Sequence, residues 1–326
     1  MHKFGFINFV FREFRIILLG FIFPIYILSS CNDSNNSTYR YGDYRKFENT
    51  PIATLAANVE SGDTDRIADY LKQYPGLIDY QEPYDSLSLL MMTIINQRKA
   101  TFPYSMICDN VNCGLSLNEN QCTSFLFLLN HGASVNTIDA DGETPLMIAC
   151  GCDYYDTSII RELIAHGADV NFILPTDNSD RLGNSTPLQN AIRCHRLDFV
   201  KLLVENNADV NYMDKFGNTP LGMSLNDNNY EMALYLLENG ADYTVPTVEK
   251  SVFTGNLQDT CRLTLAEGLR YCVHPLGSKE HKLKMRIVHF LYNKGIYYSK
   301  IKVPDKILIE IKNTYPKKWK EYIQKY

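Results

Sequence analysis

Residues 214–221, Asp-Lys-Phe-Gly-Asn-Thr-Pro-Leu, open a segment that closes at 236–242 with Leu-Leu-Glu-Asn-Gly-Ala-Asp. The pattern precedes itself twice. Residues 184–188 read Asn-Ser-Thr-Pro-Leu and lead to 199–211, Phe-Val-Lys-Leu-Leu-Val-Glu-Asn-Asn-Ala-Asp-Val-Asn. Residues 141–146 read Asp-Gly-Glu-Thr-Pro-Leu and lead to 159–171, Ile-Ile-Arg-Glu-Leu-Ile-Ala-His-Gly-Ala-Asp-Val-Asn. Thr186 and Thr219 stand 33 residues apart, as do Ala208 and Ala241. A fixed period of this length marks a repeat architecture.

Each recurring residue has a local reason. Threonine ahead of proline caps a helix through its hydroxyl, and proline at the first helical position loses no needed hydrogen bond. Ala149 and Ala191 sit where one helix approaches its neighbour closely. Phe199, Val200, Leu202 and Leu203 face both a partner helix and the next repeat. Gly167 and Gly240, with Asn207 in the copy between them, fall where a helix ends and the chain turns left-handed. Asp141-Gly142 and Phe216-Gly217 form turns.

These segments resemble ankyrin repeats, whose unit is a turn followed by two antiparallel helices. The resemblance implies an all-α solenoid of helix-turn-helix repeats with β-hairpin-like tips. Weaker copies flank the three clear ones. One starts at Ser88-Leu89-Leu90 and ends at 128–136, interrupted by an insertion near 98–121; a second insertion spans 172–183. Residues 55–82 fit a divergent first repeat, with Gly62-Asp63 between its helices. Residues 257–298 fit a capping unit that lacks a Thr-Pro-Leu start, and 300–326 a helical cap. The expected array of five to six repeats covers 50–299. Atypical outer units are expected, because their outer faces meet water.

The first thirty residues read as an address. Lys3, Arg12 and Arg15 precede the apolar run Ile16–Leu28, too short for a membrane span and of the length of a signal-peptide core. Leu28-Ser29-Ser30-Cys31 resembles the lipobox of bacterial lipoproteins. That resemblance implies cleavage before Cys31, acylation of its thiol and amine, and attachment to a membrane of the cell envelope, facing periplasm or exterior. An ordinary cleaved signal peptide is the alternative reading. Residues 31–49, polar and poor in aliphatics, are expected to be a flexible tether.

With 45% hydrophobic and 21% charged residues, the composition excludes wholesale disorder. The net charge of −5 hides a polarity. Residues 31–278 hold 16 basic and 32 acidic side chains, whereas 279–326 hold 13 basic and 4 acidic. An acidic body disfavours nucleic acid as a partner. No zinc-protease, nucleophile-elbow, phosphate-loop or dinucleotide motif occurs, and neither a cofactor nor a small-molecule substrate is indicated. Cys108 and Cys113 are the candidate disulfide, with Cys122 a competitor; a zinc site there lacks the paired spacing such sites use. His131 and His166 each precede the glycine that ends a helix, a surface or capping position.

Ankyrin proteins usually meet protein partners through hairpin tips and the inner face of the first helices. Carried onto this chain, the tips are Tyr84, Asp85, Ala140, Asp141, Glu143, Leu182, Lys215, Phe216 and Asn218. The helical face gives Cys152, Arg193, Asn226 and Asp227. Phe216 reads either as a binding hot spot or as packing against a neighbouring tip. Two other functions stay open: a metal or enzymatic site in the cysteine-bearing insertion or the C-terminal unit, and a rigid spacer.

Overall fold

The computed structural model describes residues 43–96, 119–151, 156–175, 184–246, 248–249 and 262–325. All belong to the compact unit Gly42–Tyr326. Among the described residues six helix pairs follow one another: α1 (Ala53–Ser61) with α2 (Thr64–Gln73), α3 (Leu89–Asn96) with α4 (Glu119–Asn130), and α5 (Pro145–Cys150) with α6 (Thr157–Ala165). Next come α7 (Pro187–Arg193) with α8 (Leu197–Glu205), and α9 (Pro220–Asn226) with α10 (Tyr230–Glu238). The short antiparallel pair β1 (Val248–Glu249) and β2 (Arg262–Leu263) then leads into α11 (Leu265–Gly268) and α12 (Lys279–Asn293). Helices α13 (Asp305–Thr314) and α14 (Trp319–Lys325) close the chain. The first helices stack in order from α1 to α11, so the array is a solenoid.

Local chemistry sets the starts and stops. The hydroxyls of Thr144, Thr186 and Thr219 accept from the backbone N–H groups of Met147, Gln189 and Gly222. At Thr186 the Gln189 side chain also reaches back to the cap nitrogen, a reciprocal box. Gly167, Asn207 and Gly240 take φ of 89°, 66° and 91°, the left-handed region each helix exit requires. The second helices bury one stripe: Ile159, Ile160 and Leu163 in α6, Phe199, Val200, Leu202 and Leu203 in α8. Ala149 and Ala191 are fully buried, where a larger side chain would push adjacent helices apart.

Asparagines stitch the repeats. The Asn136 amide donates to the Gly167 carbonyl at 3.0 Å and accepts from the Asp169 N–H at 2.9 Å. Asn171 makes the same pair with Asn207 and Asp209, at 3.0 and 2.8 Å, and Asn211 with Gly240 and Asp242, at 3.1 and 2.7 Å. Each rung satisfies a loop carbonyl and a loop N–H of the following repeat, contributing about 1 kcal/mol per bond.

Three boundaries differ from the sequence expectation. The tether expected over 31–49 is folded from Asp43: Tyr44–Phe47 form a 3₁₀ turn with Tyr44 and Phe47 buried. The Tyr44 hydroxyl donates to Gln121 at 2.8 Å, and burial pushes its pKa well above the ordinary value. Two aromatic anchors within a polar stretch are enough to hold it. The insertion expected to run to Gln121 ends earlier, since α4 has begun and Gln121 is buried, donating to the Glu60 carbonyl at 3.0 Å. The last repeat does have a threonine start. Thr264 caps α11 in a reciprocal box with Glu267. It stands 45 residues after Thr219, so its tip is 12 residues longer than the period.

Candidate functional site

The tips run along one edge of the solenoid, and each begins as a small pinned turn. The Asp139 N–H donates to the Glu143 carbonyl at 3.1 Å, while its carboxylate accepts from the Glu143 N–H at 2.8 Å. Asp214 repeats this with Asn218, at 3.0 and 2.8 Å, and also accepts from the Phe216 N–H at 2.9 Å. In the tip between them Leu174 replaces the aspartate, and its N–H donates to the Ser185 carbonyl at 2.9 Å. An aspartate that accepts from its own turn is a favoured turn former.

The tips are also tied to one another. The Ala140 N–H donates to the Asp85 carbonyl at 2.8 Å. Gly142, at φ 81°, lies so close to the next tip that a Cβ there would stand 3.3 Å from Pro175. The Lys215 N–H donates to the Asn184 side chain at 2.5 Å. Arg262, on β2, reaches back to the Phe216 carbonyl and to the Asn218 side-chain oxygen at 3.2 Å. The edge is a braced strip.

The residues expected to bind fall into two groups. Several are engaged within the fold. Asp85 pairs with Lys46, whose side chain is buried. Asn218 is held by Asp214 at 2.9 Å and by Arg262. Arg193 is half-buried, donating to Asn190 at 3.1 Å with Asp214 3.9 Å away. Burial lowers the pKa of its guanidinium, while the nearby Asp214 carboxylate works in the opposite direction. Glu143 and Asn226 are half-buried. The others face outward: Tyr84, Ala140, Asp141, Lys215, Phe216 and Asp227. The Phe216 ring is 49% exposed, with the Lys215 ammonium 5.3 Å from its centroid. Partial burial raises the Asp227 pKa, opposed by His195, 4.0 Å away, and by Arg193. Leu182, Cys152, Cys108, Cys113 and Cys31 lie outside the described residues.

A feature that sequence reading missed stands out on the same edge. Ile138, Ile173 and Met213 are 41%, 47% and 44% exposed, and each lies two residues after a stitching asparagine. They therefore occupy equivalent places in three successive repeats. Successive first helices stack on one another, so each repeat adds one exposed apolar side chain at this register, and together they form an apolar row. Exposed Asp169, Asp209 and Asp242 follow the same repeat. The recurrence of a large apolar residue at that offset was the available signal.

Among the described residues no group of three or more histidine, cysteine, aspartate or glutamate side chains converges to hold a metal ion. Among them also, no helix is long and apolar enough to cross a membrane. Cys122, Cys150, Cys194 and Cys272 are present as thiols.

The family description "Ankyrin repeats (3 copies)" matches residues 114–214 and 172–247. Together with the helix pairs, capped tips and stacked order, this defines the fold as an ankyrin-repeat solenoid. Similar proteins bear the same repeats. A Fowlpox virus ankyrin repeat protein, FPV031, is 33% identical over 135 residues, 41% of this chain and 36% of its own length. A second from that virus, FPV024, is 37% identical over 94 residues, 29% of this chain and 15% of its own. The human ankyrin repeat and SOCS box protein 6 is 34% identical over 177 residues, 51% of this chain and 40% of its own. The chain thus spans less than half the length of each.

Proposed function

We propose that this solenoid is a protein-interaction module that holds its partner along the braced tip edge, rather than a catalyst. The row Ile138, Ile173 and Met213 carries the reading, because apolar side chains kept half-exposed at one register gain most when a partner covers them. Phe216, Lys215, Asp141 and Tyr84 extend the same edge, and Asp227 continues it onto the helical face. The repeats of the similar proteins support a protein partner. The edge's acidic residues favour one with basic side chains among its apolar contacts.

We further propose that the array is tethered to a bacterial envelope membrane through acylated Cys31, facing away from the cytoplasm. The support is the lipobox-like run Leu28–Cys31 behind a basic leader and a short apolar core. Radiolabelled palmitate that labels the chain and is lost in Cys31→Ala would bear this out; labelling that survives the substitution would defeat it.

The interaction reading is tested by crosslinking in native cells and quantifying what is captured. The triple variant Ile138→Ser, Ile173→Ser, Met213→Ser should lose capture more than tenfold while unfolding like the parent. Leu126→Ser, an equally exposed site on second helix α4, should capture normally. Equal capture by the parent and the triple variant would remove the tip edge as the binding surface.

A further inference from the structure

The terminal unit presents a second surface of opposite character. Residues 279–326 hold 13 basic and 4 acidic side chains. On α13, Ile309 is 59% exposed, with Lys306 and Lys312 three residues to either side and hence on the same outward face. Lys312 and Lys320 place their ammonium groups 4.8 and 5.6 Å from the centroid of the Trp319 ring. A second cluster, at the end of α12 and in the segment after it, repeats the arrangement. Tyr292 and Tyr297, 59% and 47% exposed, meet edge to face at 5.6 Å, and the Lys300 ammonium lies 4.5 Å from the Tyr297 centroid.

We propose that this outer surface of the C-terminal unit docks on an anionic lipid bilayer. Its charge complements acidic headgroups, and lysines set beside aromatic rings and an exposed aliphatic side chain are what an interfacial surface requires. Lysine stems lie along apolar surface while their ammonium groups stay in the headgroup layer. Single-stranded nucleic acid fits less well. Bases stack on open ring faces, whereas the Trp319 and Tyr297 rings already carry lysine ammonium groups. The inference depends on neither the tip edge nor acylation at Cys31.

The test uses residues 42–326, which contain the complete described core and omit the apolar leader. Vesicles of phosphatidylcholine alone, or with about one-third phosphatidylglycerol, are sedimented with the protein at about 0.1 M salt. Binding to the anionic vesicles only, weakening as salt rises, is the expected result. Each lysine near the surface is worth about fivefold, so Lys306→Gln, Lys312→Gln, Lys320→Gln together should cost about a hundredfold. Ile309→Ser keeps every charge and should still lose severalfold, a loss that purely ionic attraction would not produce. Trp319 fluorescence and circular dichroism show whether each variant is folded, and Lys300→Gln offers an independent cationic site. Equal binding to neutral vesicles, no binding to either, or tighter retention by a single-stranded RNA oligonucleotide or polyglutamate than by anionic vesicles would each overturn the proposal.

Discussion

Lys284 gives the sharpest quantitative test of the terminal unit. Its side chain is fully buried on α12, with the amine donating to the Cys272 carbonyl at 2.9 Å. The Tyr298 ring centroid is 5.6 Å away, and Arg270 is buried nearby over the same ring. Burial, with the Arg270 charge adding to it, pushes the Lys284 pKa down to about 7 from an ordinary 10.5. An unfolded chain keeps that proton up to its ordinary pKa, whereas the folded chain releases it above about 7. The unfolded state therefore binds more protons between these values, and stability must rise with pH across that window. At about 1.4 kcal/mol per unit, the lysine costs the fold about 4 kcal/mol at pH 7 and about 2 at pH 9.

Lys284→Met removes this cost at every pH but leaves the Cys272 carbonyl without the amine donor, a loss of about 1–3 kcal/mol. The variant should be more stable than the parent by about 2 kcal/mol at pH 7 and nearly level with it at pH 9. The single tryptophan, Trp319, packs against the cluster of Ile307, Ile311 and Tyr322, so its fluorescence in urea reports on this unit. Comparing variant with parent at each pH cancels groups common to both. Measurement should stop near pH 9, because the pKa values of Tyr298 and Tyr322 are raised by burial and oppose the trend at higher pH. A stability difference between the two proteins that stays constant from pH 7 to 9 would refute the reasoning.

Two further substitutions probe the repeats. Asn171→Ala removes both bonds of one rung and should lower stability by about 1–2 kcal/mol, with hydrogen exchange accelerating first around 205–211; unchanged exchange there would deny the rung any role. Thr264→Ala breaks the reciprocal cap of α11 and should cost about 1 kcal/mol, read as an earlier Trp319 transition in urea, whereas Thr264→Ser should restore most of it.

What the sequence disclosed and what it hid follow from the range of the forces involved. Thr144, Thr186 and Thr219 act within one helical turn, and Gly167, Asn207 and Gly240 within one residue, so their signals are local and readable. The ion pair of Lys46 with Asp85 joins groups 39 residues apart, and nothing in the sequence marks it. Thr264 was obscured because its tip is longer than the period, although Thr264 and Glu267 spell a capping box. Lys284 hid in the run Lys-Glu-His-Lys-Leu-Lys-Met-Arg, which reads as a solvated face. Its spacing from Ile287 and Leu291 places it on the buried stripe nonetheless. The apolar row was missed for a different reason: Met213 differs in identity from Ile138 and Ile173, and two extra residues between Thr144 and Asp169 and the insertion at 172–183 spoil their spacing.

The bracing of the tip edge bears directly on how such a row could bind. Ordering a free loop on binding costs about 0.5–1.5 kcal/mol for each immobilised long side chain. Here Asp139 and Asp214 already fix their turns, and Arg262 holds the Phe216 turn from the following tip. The asparagine rungs fix the residues that lie two positions before Ile138, Ile173 and Met213. A partner covering the row therefore meets side chains whose backbone is set, and less of its contact energy is lost to ordering. The same arrangement means that a rung and the row are coupled. Loosening Asn171 should weaken capture even though its side chain hydrogen-bonds to Asn207 and Asp209 of the next repeat and not to the row, while leaving the salt-dependent behaviour of the cationic terminal unit unchanged.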